Sequence, residues 1–463
     1  MAPKFGTSGL RGLVVELTPE LVAQYTHAFL EACETGSSVR VGWDLRPSSP
    51  DIAKMVIDAI VAAGGTAVVD GALPTPALAL ASLDEGQSAI MVTGSHIPAD
   101  RNGLKFYTPR GEISKRDETA ILARFGAKRE GNGVQIDTHG GAIAAYVARY
   151  VDGFGAKALS GLRIGVYQHS SVARDIMVHL VQALGAEAVP LAWSDTFIPV
   201  DTEAVDPETR EQLAGWCEQH ELDALISTDG DADRPMVTDA TGKIVAGDVL
   251  GPLTARLLGA DRICTPVSSN TMVDGIDEFS DVTRTRIGSP FVIASMEDAL
   301  LKDSATKVVG YEANGGFLLG FTASGPAGSL NPLMTRDCLL PILAPLYLAK
   351  KVGCGLAELV SEMPARFTAT DRLTGIPANI SGPILKRLCA DEEVRAEFFS
   401  AMPAEQDVDL TDGLRVTFVG GDIVHLRPSG NAPEFRCYAE ADSGERAAEL
   451  LTQFLEKTKT LLS

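Results

Sequence analysis

The stretch Asp229-Gly230-Asp231-Ala232-Asp233-Arg234 sets three carboxylates at alternate positions around a tight turn, directly after the apolar run Ala224-Leu225-Ile226. Three negative charges this close repel one another, and a divalent cation relieves that repulsion. Hard oxygen ligands select Mg²⁺ or Ca²⁺ over soft metals. An EF-hand is excluded, because Arg234 stands at the sixth loop position where glycine is needed and Ala240 at the twelfth where a bidentate Glu is needed. A second stretch, Thr93-Gly94-Ser95-His96-Ile97-Pro98, ends the apolar strand Ala89 to Val92. It leaves one hydroxyl at the carboxyl end of a strand, the edge where open α/β sheets bind ligands. Alone, Ser95 reads as a turn or capping serine; beside a metal-ready carboxylate cluster, it reads as a nucleophile awaiting activation.

Four further stretches carry candidates. Phe5-Gly6-Thr7-Ser8-Gly9-Leu10-Arg11-Gly12 surrounds an arginine with glycines and hydroxyls, a backbone able to approach an anion. Lys105 follows Asn102-Gly103 and is a candidate proton carrier, although a lone lysine is ordinarily a solvated charge. Tyr311-Glu312-Ala313-Asn314-Gly315-Gly316 offers a carboxylate and an amide suited to sugar hydroxyls, or simply a hairpin turn. Arg427-Pro428-Ser429-Gly430-Asn431 can form an anion nest between two strands. Of seven histidines only His96 lies inside a motif, and the others lack metal-ligand spacing.

The elements that must position these residues alternate between strands and helices. Thr18 caps a helix running to about Glu34. Val39–Trp43 is a strand, 50–63 a helix, Thr66–Val69 a strand and 76–83 a helix, before the Ser95 strand. Such alternation predicts a mostly parallel sheet with helices on both faces. The polar, glycine-rich stretch 127–141 reads as a boundary. A second unit follows with strands at 163–167, 188–191 and 224–226, and a third begins near Asp248 with a strand at 262–264. A strand is followed three times by a serine pair at a helix start: Ser48-Ser49, Ser170-Ser171 and Ser268-Ser269. This suggests three related units in tandem. An apolar helix is expected over 335–350, packed between units. Beyond a hinge at 363–367, strands at 414–419, 422–426 and 434–439 with an amphipathic helix at 445–462 predict a smaller α+β domain with an antiparallel sheet. The expected domains are 1–140, 141–243, 244–363 and 364–463.

At 463 residues the chain suits three or four domains of about 150 residues or fewer. Its net charge of -21 argues against nucleic acid or an anionic membrane as partner, but leaves room for a basic pocket that takes small phosphorylated substrates. Seven scattered cysteines without a CxxC pair read as reduced thiols of a cytoplasmic protein. No signal-peptide core or membrane-length apolar run is visible.

Taken in order, FGTSGLRG, TGSHIPADRNGLK, DGDADR, YEANGG and RPSGNAPEFR resemble the α-D-phosphohexomutase family across essentially the whole chain, with the texture of its bacterial phosphomannomutases. The resemblance implies three tandem α/β domains with mixed, mostly parallel sheets plus a C-terminal α+β domain, heart-shaped around a central cleft. It implies Ser95 as the phosphoryl carrier, with Asp229, Asp231 and Asp233 binding Mg²⁺ together with it. Arg11 and Arg234 would steady phosphate, Lys105 would act as general acid/base, and His96 would lie in the catalytic loop. Gly288-Ser289 and Glu312 with Asn314 would contact the sugar. Arg427, Ser429, Gly430 and Asn431 would grip the phosphate that is not reacting. The activity implied is exchange between hexose 1-phosphate and hexose 6-phosphate, mannose first and glucose second, through a phosphoserine and a hexose 1,6-bisphosphate that also serves as activator. A mobile last domain would open for the intermediate to turn over and close to exclude water. A monomer or weak dimer is expected.

Three departures stand out. Relatives often carry Ser-Gly-His after the sugar-binding glutamate, whereas this chain has Asn314-Gly315-Gly316, so a histidine acid/base is missing there. Ala313 replaces the Gln favoured by phosphoglucosamine mutases. His96-Ile97-Pro98 lacks an asparagine that others have before the proline. The residues also leave open mutase chemistry on an amino sugar, a metal-dependent sugar phosphatase and a non-catalytic sugar-phosphate sensor.

Overall fold

The computed structural model describes residues 3–6, 9–138, 140–429 and 433–462. In the first sheet, Val39–Trp43 lies between Thr66–Ala72 and Ser88–Val92, parallel to both. Arg101–Thr108 then returns antiparallel to Ser88–Val92 and pairs onward with Leu10–Leu13, which places Arg11 opposite Gly103. The stretch 127–141 is not wholly a linker. Its residues Val134–Asp137 form an exposed edge strand parallel to Thr66–Ala72. Glycine and charge on both sides hid this short strand, and edge strands tolerate such polar composition.

The second sheet runs Glu187–Trp193, Arg163–His169, Ala224–Thr228, Pro235–Thr238 and Ile244–Val245. The third runs Asp281–Thr285, Arg262–Pro266, Val308–Tyr311, Phe317–Leu319 and Leu333–Asp337. All three share one frame. Counted from Val39–Trp43, Arg163–His169 and Arg262–Pro266, the first strand is central, the second and third lie parallel on its two sides, and the fourth returns antiparallel beside the third; in the first unit Lys4–Phe5 and Leu10–Leu13 precede this frame. The tandem repeat hinted at by the serine pairs is therefore present in the strand order. The pairs follow the first strand in each unit, but only the pair in the first unit opens a long helix directly, Ser49–Ala62. The pair in the third unit precedes a short 3-10 turn, Thr271–Gly275, capped by Asn270. In every unit the turn from third to fourth strand carries the candidate chemistry: Ser95, then Asp229 to Asp233, then Glu312 and Asn314.

The helix expected over 335–350 begins later, at Leu339, and runs to Val352. Thr335 to Asp337 instead finish a strand, because Asp337 pairs with Phe317. Asp337 accepts the Leu339 amide at 3.1 Å and the hydroxyls of Tyr146 and Tyr150 from the helix Gly141–Phe154. One apolar cluster runs through all three units and takes in Leu339, Ile342, Leu343 and Leu346 of this helix. The helix is apolar on most sides because it is buried on most sides. All seven cysteines are free thiols.

Beyond Met363 lies a five-stranded antiparallel sheet: Phe367–Thr374, Glu434–Ala441, Ile423–Pro428, Leu414–Phe418 and Glu405–Asp409. One face, with Val416, Leu426, Cys437 and Ala439, packs a separate core with Leu450 and Phe454 of the helix Gly444–Leu462. The other face is polar, and its Arg415, His425, Tyr438 and Glu440 border a cavity of about 690 Å³ against the second and third units. Contacts across this boundary are polar. Glu440 accepts from Thr271, Asn270 Nδ2 donates to the Arg366 carbonyl at 2.9 Å, and the Ile287 amide donates to Asp412 at 3.0 Å.

Candidate active site

Ser95 follows a strand whose five residues are all buried. Its backbone is left-handed, with φ of 55°. A non-glycine residue adopts this at about 1–2 kcal/mol, so the surroundings must enforce it. Thr93 Oγ1 accepts the Ser95 amide at 2.7 Å and donates to Asp44 at 2.7 Å. Arg46, 1% exposed, supplies the rest. Its Nε donates to Asp44 at 3.1 Å, Nη2 to the carbonyls of Ser95 (2.7 Å) and Ile97 (2.5 Å), and Nη1 to those of Pro98 (2.7 Å) and Arg101 (3.1 Å). All five guanidinium hydrogens are thus used. A Cβ on Gly94 would come within 2.6 Å of this guanidinium. The ring of Phe197, from the second unit, covers it at 4.3 Å.

This loop delivers Ser95 Oγ to the carboxylates, where it donates to Asp229 Oδ2 at 2.6 Å. His96 Nδ1 lies 3.3 Å from Ser95 Oγ. Burial and the surrounding arginines, Arg234 and Arg11 first, hold the His96 imidazole well below its usual pKa, so it is neutral at pH 7.

The acidic turn follows the buried strand Ala224–Thr228 and bends through Ala232, φ 56°. Asp229, Asp231 and Asp233 are fully buried, and one carboxylate oxygen from each lies within 4.8 Å of the others. Asp229 Oδ1 accepts the amides of Asp233 (3.2 Å) and Arg234 (3.3 Å). Thr75, of the first unit, donates its amide to the Asp231 carbonyl at 2.9 Å and its hydroxyl to Asp231 Oδ2 at 2.6 Å. Lys105 Nζ sits 2.6 Å from both Asp231 and Asp233. Arg336 adds a contact of 2.7 Å to Asp233.

Burial and the charges of Asp231 and Asp233 push Asp229 well above the carboxylate range. Burial acts the same way on Asp231 but is overcome by Lys105, which holds that carboxyl low. Arg11 is lowered to about 10 by burial and by the like charges of Arg234 and Arg336. Despite burial, Asp229 and Asp233 hold Arg234 above the ordinary arginine value. Asp231 Oδ1 and Asp233 Oδ1 are buried without a hydrogen-bond partner. Two orphaned carboxylate oxygens beside a third carboxylate and a hydroxyl form a hard donor set that fits a small divalent cation such as Mg²⁺. Among the described residues no other metal-competent group was found.

Glu312 is buried, and its Oε2 lies 3.5 Å from Arg336 Nη1. Asn314 Oδ1 accepts the Gly316 amide at 3.0 Å, so its amide nitrogen is the end left to meet a ligand. Gly288 and Ser289 open the helix Ser289–Lys302, with Gly288 at φ 130°. Ser289 Oγ donates to Glu112 of the first unit at 2.9 Å. This hydrogen bond ties the third unit to the first.

Arg427 and Ser429 end the strand Ile423–Pro428 and begin the next turn, while Gly430 and Asn431 lie outside the described residues. Arg427 is 3.5 Å from Asp412 and borders a second cavity of about 430 Å³, shared with Lys115 and Arg286. The structure therefore brings Ser95, His96, Lys105, Arg234 and the three aspartates together, with Arg11 electrostatically coupled to them and Glu312 joined through Arg336. The phosphate-binding candidates stand apart on the last domain.

Arg46, Thr75, Phe197 and Arg336 escaped the sequence reading. Asp44-x-Arg46 after a strand was a legible signal for the first, being a charged pair at the ligand edge of a sheet. The others act on residues far away in the chain and leave no local trace.

Known proteins fit this geometry. The chain matches the phosphoglucomutase/phosphomannomutase family over residues 2–132 (alpha/beta/alpha domain I), 144–242 (alpha/beta/alpha domain II), 239–367 (alpha/beta/alpha domain III) and 385–457 (C-terminal domain). It is 44% identical to a phosphomannomutase of Sinorhizobium fredii (strain NBRC 101917 / NGR234), covering 98% of each chain. It is 42% identical to a phosphomannomutase of Salmonella muenchen, covering 99% of this chain and 96% of that one. Its fold resembles the crystal structure of a phosphoglucomutase/phosphomannomutase family protein from Burkholderia thailandensis, with TM-score 0.78 and 21% identity over 98% of this chain and 97% of that one.

Proposed function

The chain belongs to the phosphoglucomutase/phosphomannomutase family, and we propose from this that it is an isomerase interconverting hexose 1-phosphate and hexose 6-phosphate, with mannose as the preferred sugar and glucose as a second substrate. The observation that carries the reading is the 2.6 Å hydrogen bond from Ser95 Oγ to Asp229, inside a carboxylate cluster that keeps two buried oxygens without a hydrogen bond. Identity above 40% to two phosphomannomutases supports mannose.

Asp229, Asp231, Asp233 and Ser95 would hold Mg²⁺, which when bound neutralises the oxygens of a transferring phosphoryl group. The chain's own residues do the rest. A phosphoryl group on Ser95 Oγ passes to the free hydroxyl of the hexose phosphate. The bond from phosphorus to Oγ breaks, the bond from phosphorus to the sugar oxygen forms, and one proton moves from the sugar hydroxyl to Oγ, with Lys105 as carrier. The product is a hexose 1,6-bisphosphate, which turns over and returns its other phosphate to Ser95, so the same bisphosphate supplied from outside activates an unphosphorylated enzyme. Arg11 and Arg234 supply fixed positive charge to the transferring group. Glu312 and Asn314 take sugar hydroxyls, with Gly288 and Ser289 lining the approach. Arg427, Ser429, Gly430 and Asn431 hold the distal phosphate. Neutral His96, with Nδ1 3.3 Å from Ser95 Oγ, adds no positive charge there.

Four domains divided near residues 140, 243 and 363 carry these parts. No helix of the described residues is long and apolar enough to cross a membrane. The reading is of a cytoplasmic enzyme, a monomer or weak dimer, that acts on small sugar phosphates, and its net charge of -21 weighs against nucleic-acid partners. Phosphorus NMR with Mg²⁺, trace glucose 1,6-bisphosphate and either mannose 1-phosphate or glucose 1-phosphate tests the activity. The 6-phosphate should appear in both tubes, faster from mannose. Inorganic phosphate in its place would make the protein a phosphatase, and no change in either tube would overturn the hexose reading.

A further inference from the structure

Arg336 is 4% exposed and stands on the strand Leu333–Asp337, between two functional loops. One nitrogen is 2.7 Å from Asp233 Oδ2 in the metal turn of the second unit, and another is 3.5 Å from Glu312 Oε2 in the sugar turn of the third. Both partners are themselves buried. The next residue, Asp337, is clamped by the Tyr146 and Tyr150 hydroxyls, so the strand beneath the guanidinium has a fixed place.

The stem of Arg336 lies against Gly316. A Cβ built on Gly316 would come 2.7 Å from its Cγ and 2.8 Å from its Cδ. Gly316 is not among the residues with positive φ, so backbone conformation does not demand glycine there. What the position lacks is room. The volume that a side chain at 316 would claim, beside the sugar turn, belongs to a guanidinium that reaches in from another strand.

We propose that Arg336 is a positioning residue that sets sugar-epimer preference: it ties the Glu312 carboxylate to metal-turn Asp233 and so fixes where the sugar hydroxyls lie relative to the phosphoryl-transfer centre. This rests on the phosphohexomutase reading. A guanidinium cannot be deprotonated in a protein and so carries no proton in the reaction. Its contribution is geometric. A carboxylate displaced by a fraction of an ångström presents different oxygens to an axial and an equatorial hydroxyl, and buried polar groups discriminate steeply when a partner is misplaced.

The test uses Gly316→Ala, Arg336→Lys and Arg336→Gln in the full-length protein. Gly316→Ala is the sharpest, because it displaces the guanidinium without removing any polar group. Each variant is assayed for kcat and KM on mannose 1-phosphate and glucose 1-phosphate, for thermal unfolding, and for glucose 1-phosphate binding by calorimetry. Arg336→Gln is expected to lose about 100-fold in kcat/KM and Gly316→Ala about 10-fold, in line with the loss of a buried charged hydrogen bond and of its alignment. The ratio of kcat/KM between the two epimers should change by about fivefold or more in both. A purely structural role would lower the unfolding temperature and leave that ratio alone. An unchanged ratio, with kcat/KM for Gly316→Ala and Arg336→Lys within about threefold of wild type, overturns the proposal. If the unmodified protein turns over neither sugar, the mutase reading fails. The calorimetry then decides this inference alone, since glucose 1-phosphate affinity unaltered by Gly316→Ala would sink it.

Discussion

The turn of Asp229 to Asp233 and the turn after Arg427, proposed to hold the metal and the distal phosphate, both connect antiparallel strands, yet they are held in opposite ways. Around Asp229 to Asp233, Thr75, Ser95 and Lys105 from the first unit and Arg336 from the third converge on three fully buried carboxylates. That turn sits over a core shared by all three units. The turn after Arg427 belongs to a domain with its own core, which meets the others through polar contacts and across a cavity of about 690 Å³. Domains joined by polar interfaces move relative to one another by default, and those sharing a core do not. On the function proposed above, the chemistry is built into the part that shares a core, and the grip on the distant phosphate into the part that meets it through polar contacts.

The largest effect should follow from breaking the rigid side. Asp229→Asn is expected to lower kcat by about 10⁴-fold or more, as removal of a central catalytic group does. Chelation of Mg²⁺ should do the same to the wild-type protein, reversibly. Without metal, the variant should unfold at a temperature equal to or above that of the wild type, because one of three mutually repelling carboxylates is gone. A lower unfolding temperature would contradict the repulsion.

Gly94→Ala comes next. The added methyl group collides with the Arg46 guanidinium, so the loop that holds Ser95 must shift. A loss of about 10²-fold in kcat is expected for a misplacement of this kind, with KM nearly unchanged. If KM rises in its place, the loop serves binding rather than transfer. On the mobile side, Arg427→Gln should raise KM by about 10–100-fold, the range for a charge-assisted phosphate contact, and change kcat far less. Steady-state kinetics of this pair of variants sharpens or dissolves the contrast between the two turns.

The smallest effect concerns the boundary itself. Burial, opposed by the Asn270 amide and reinforced by Glu440 and Glu203, pushes Asp248 up to about 7. A folded-state pKa above the unfolded value stabilises the fold at low pH, and that stabilisation is lost as pH rises through the folded value. Between pH 5 and 8 the wild type should therefore lose on the order of 2 kcal/mol that Asp248→Asn does not. Thermal unfolding of the two proteins across that range checks it, and parallel curves would remove Asp248 from the account.

The parts legible in the sequence are those whose partners lie within a few residues. Asp229, Asp231 and Asp233 announce one another by spacing, and Ser95 is marked by a buried strand that ends in Thr-Gly. The alternation of strands and helices likewise rests on local periodicity. Thr75 and Asp231 are 156 residues apart, and no local pattern links them. Arg336 looked like part of an apolar helix, because the sequence around it is helical in texture, yet strand pairing to Phe317 claims its neighbour. The edge strand Val134–Asp137 was missed for the opposite reason: it is too short and too exposed to show a buried pattern. Tertiary contact decides such elements, and only the folded chain reveals it.

Three copies of one strand frame each offer the same turn, and each turn has taken a different job. A chain organised in this way can specialise one copy without disturbing the others. On the proposed reading sugar choice resides in the third copy, so selection for a new hexose can act on residues 312 to 316 and their supports while the turns of Ser95 and of Asp229 to Asp233 are inherited intact. Redundant architecture thus becomes independent heredity for separate chemical tasks, joined at the few side chains, such as Arg336, that reach from one copy into the next.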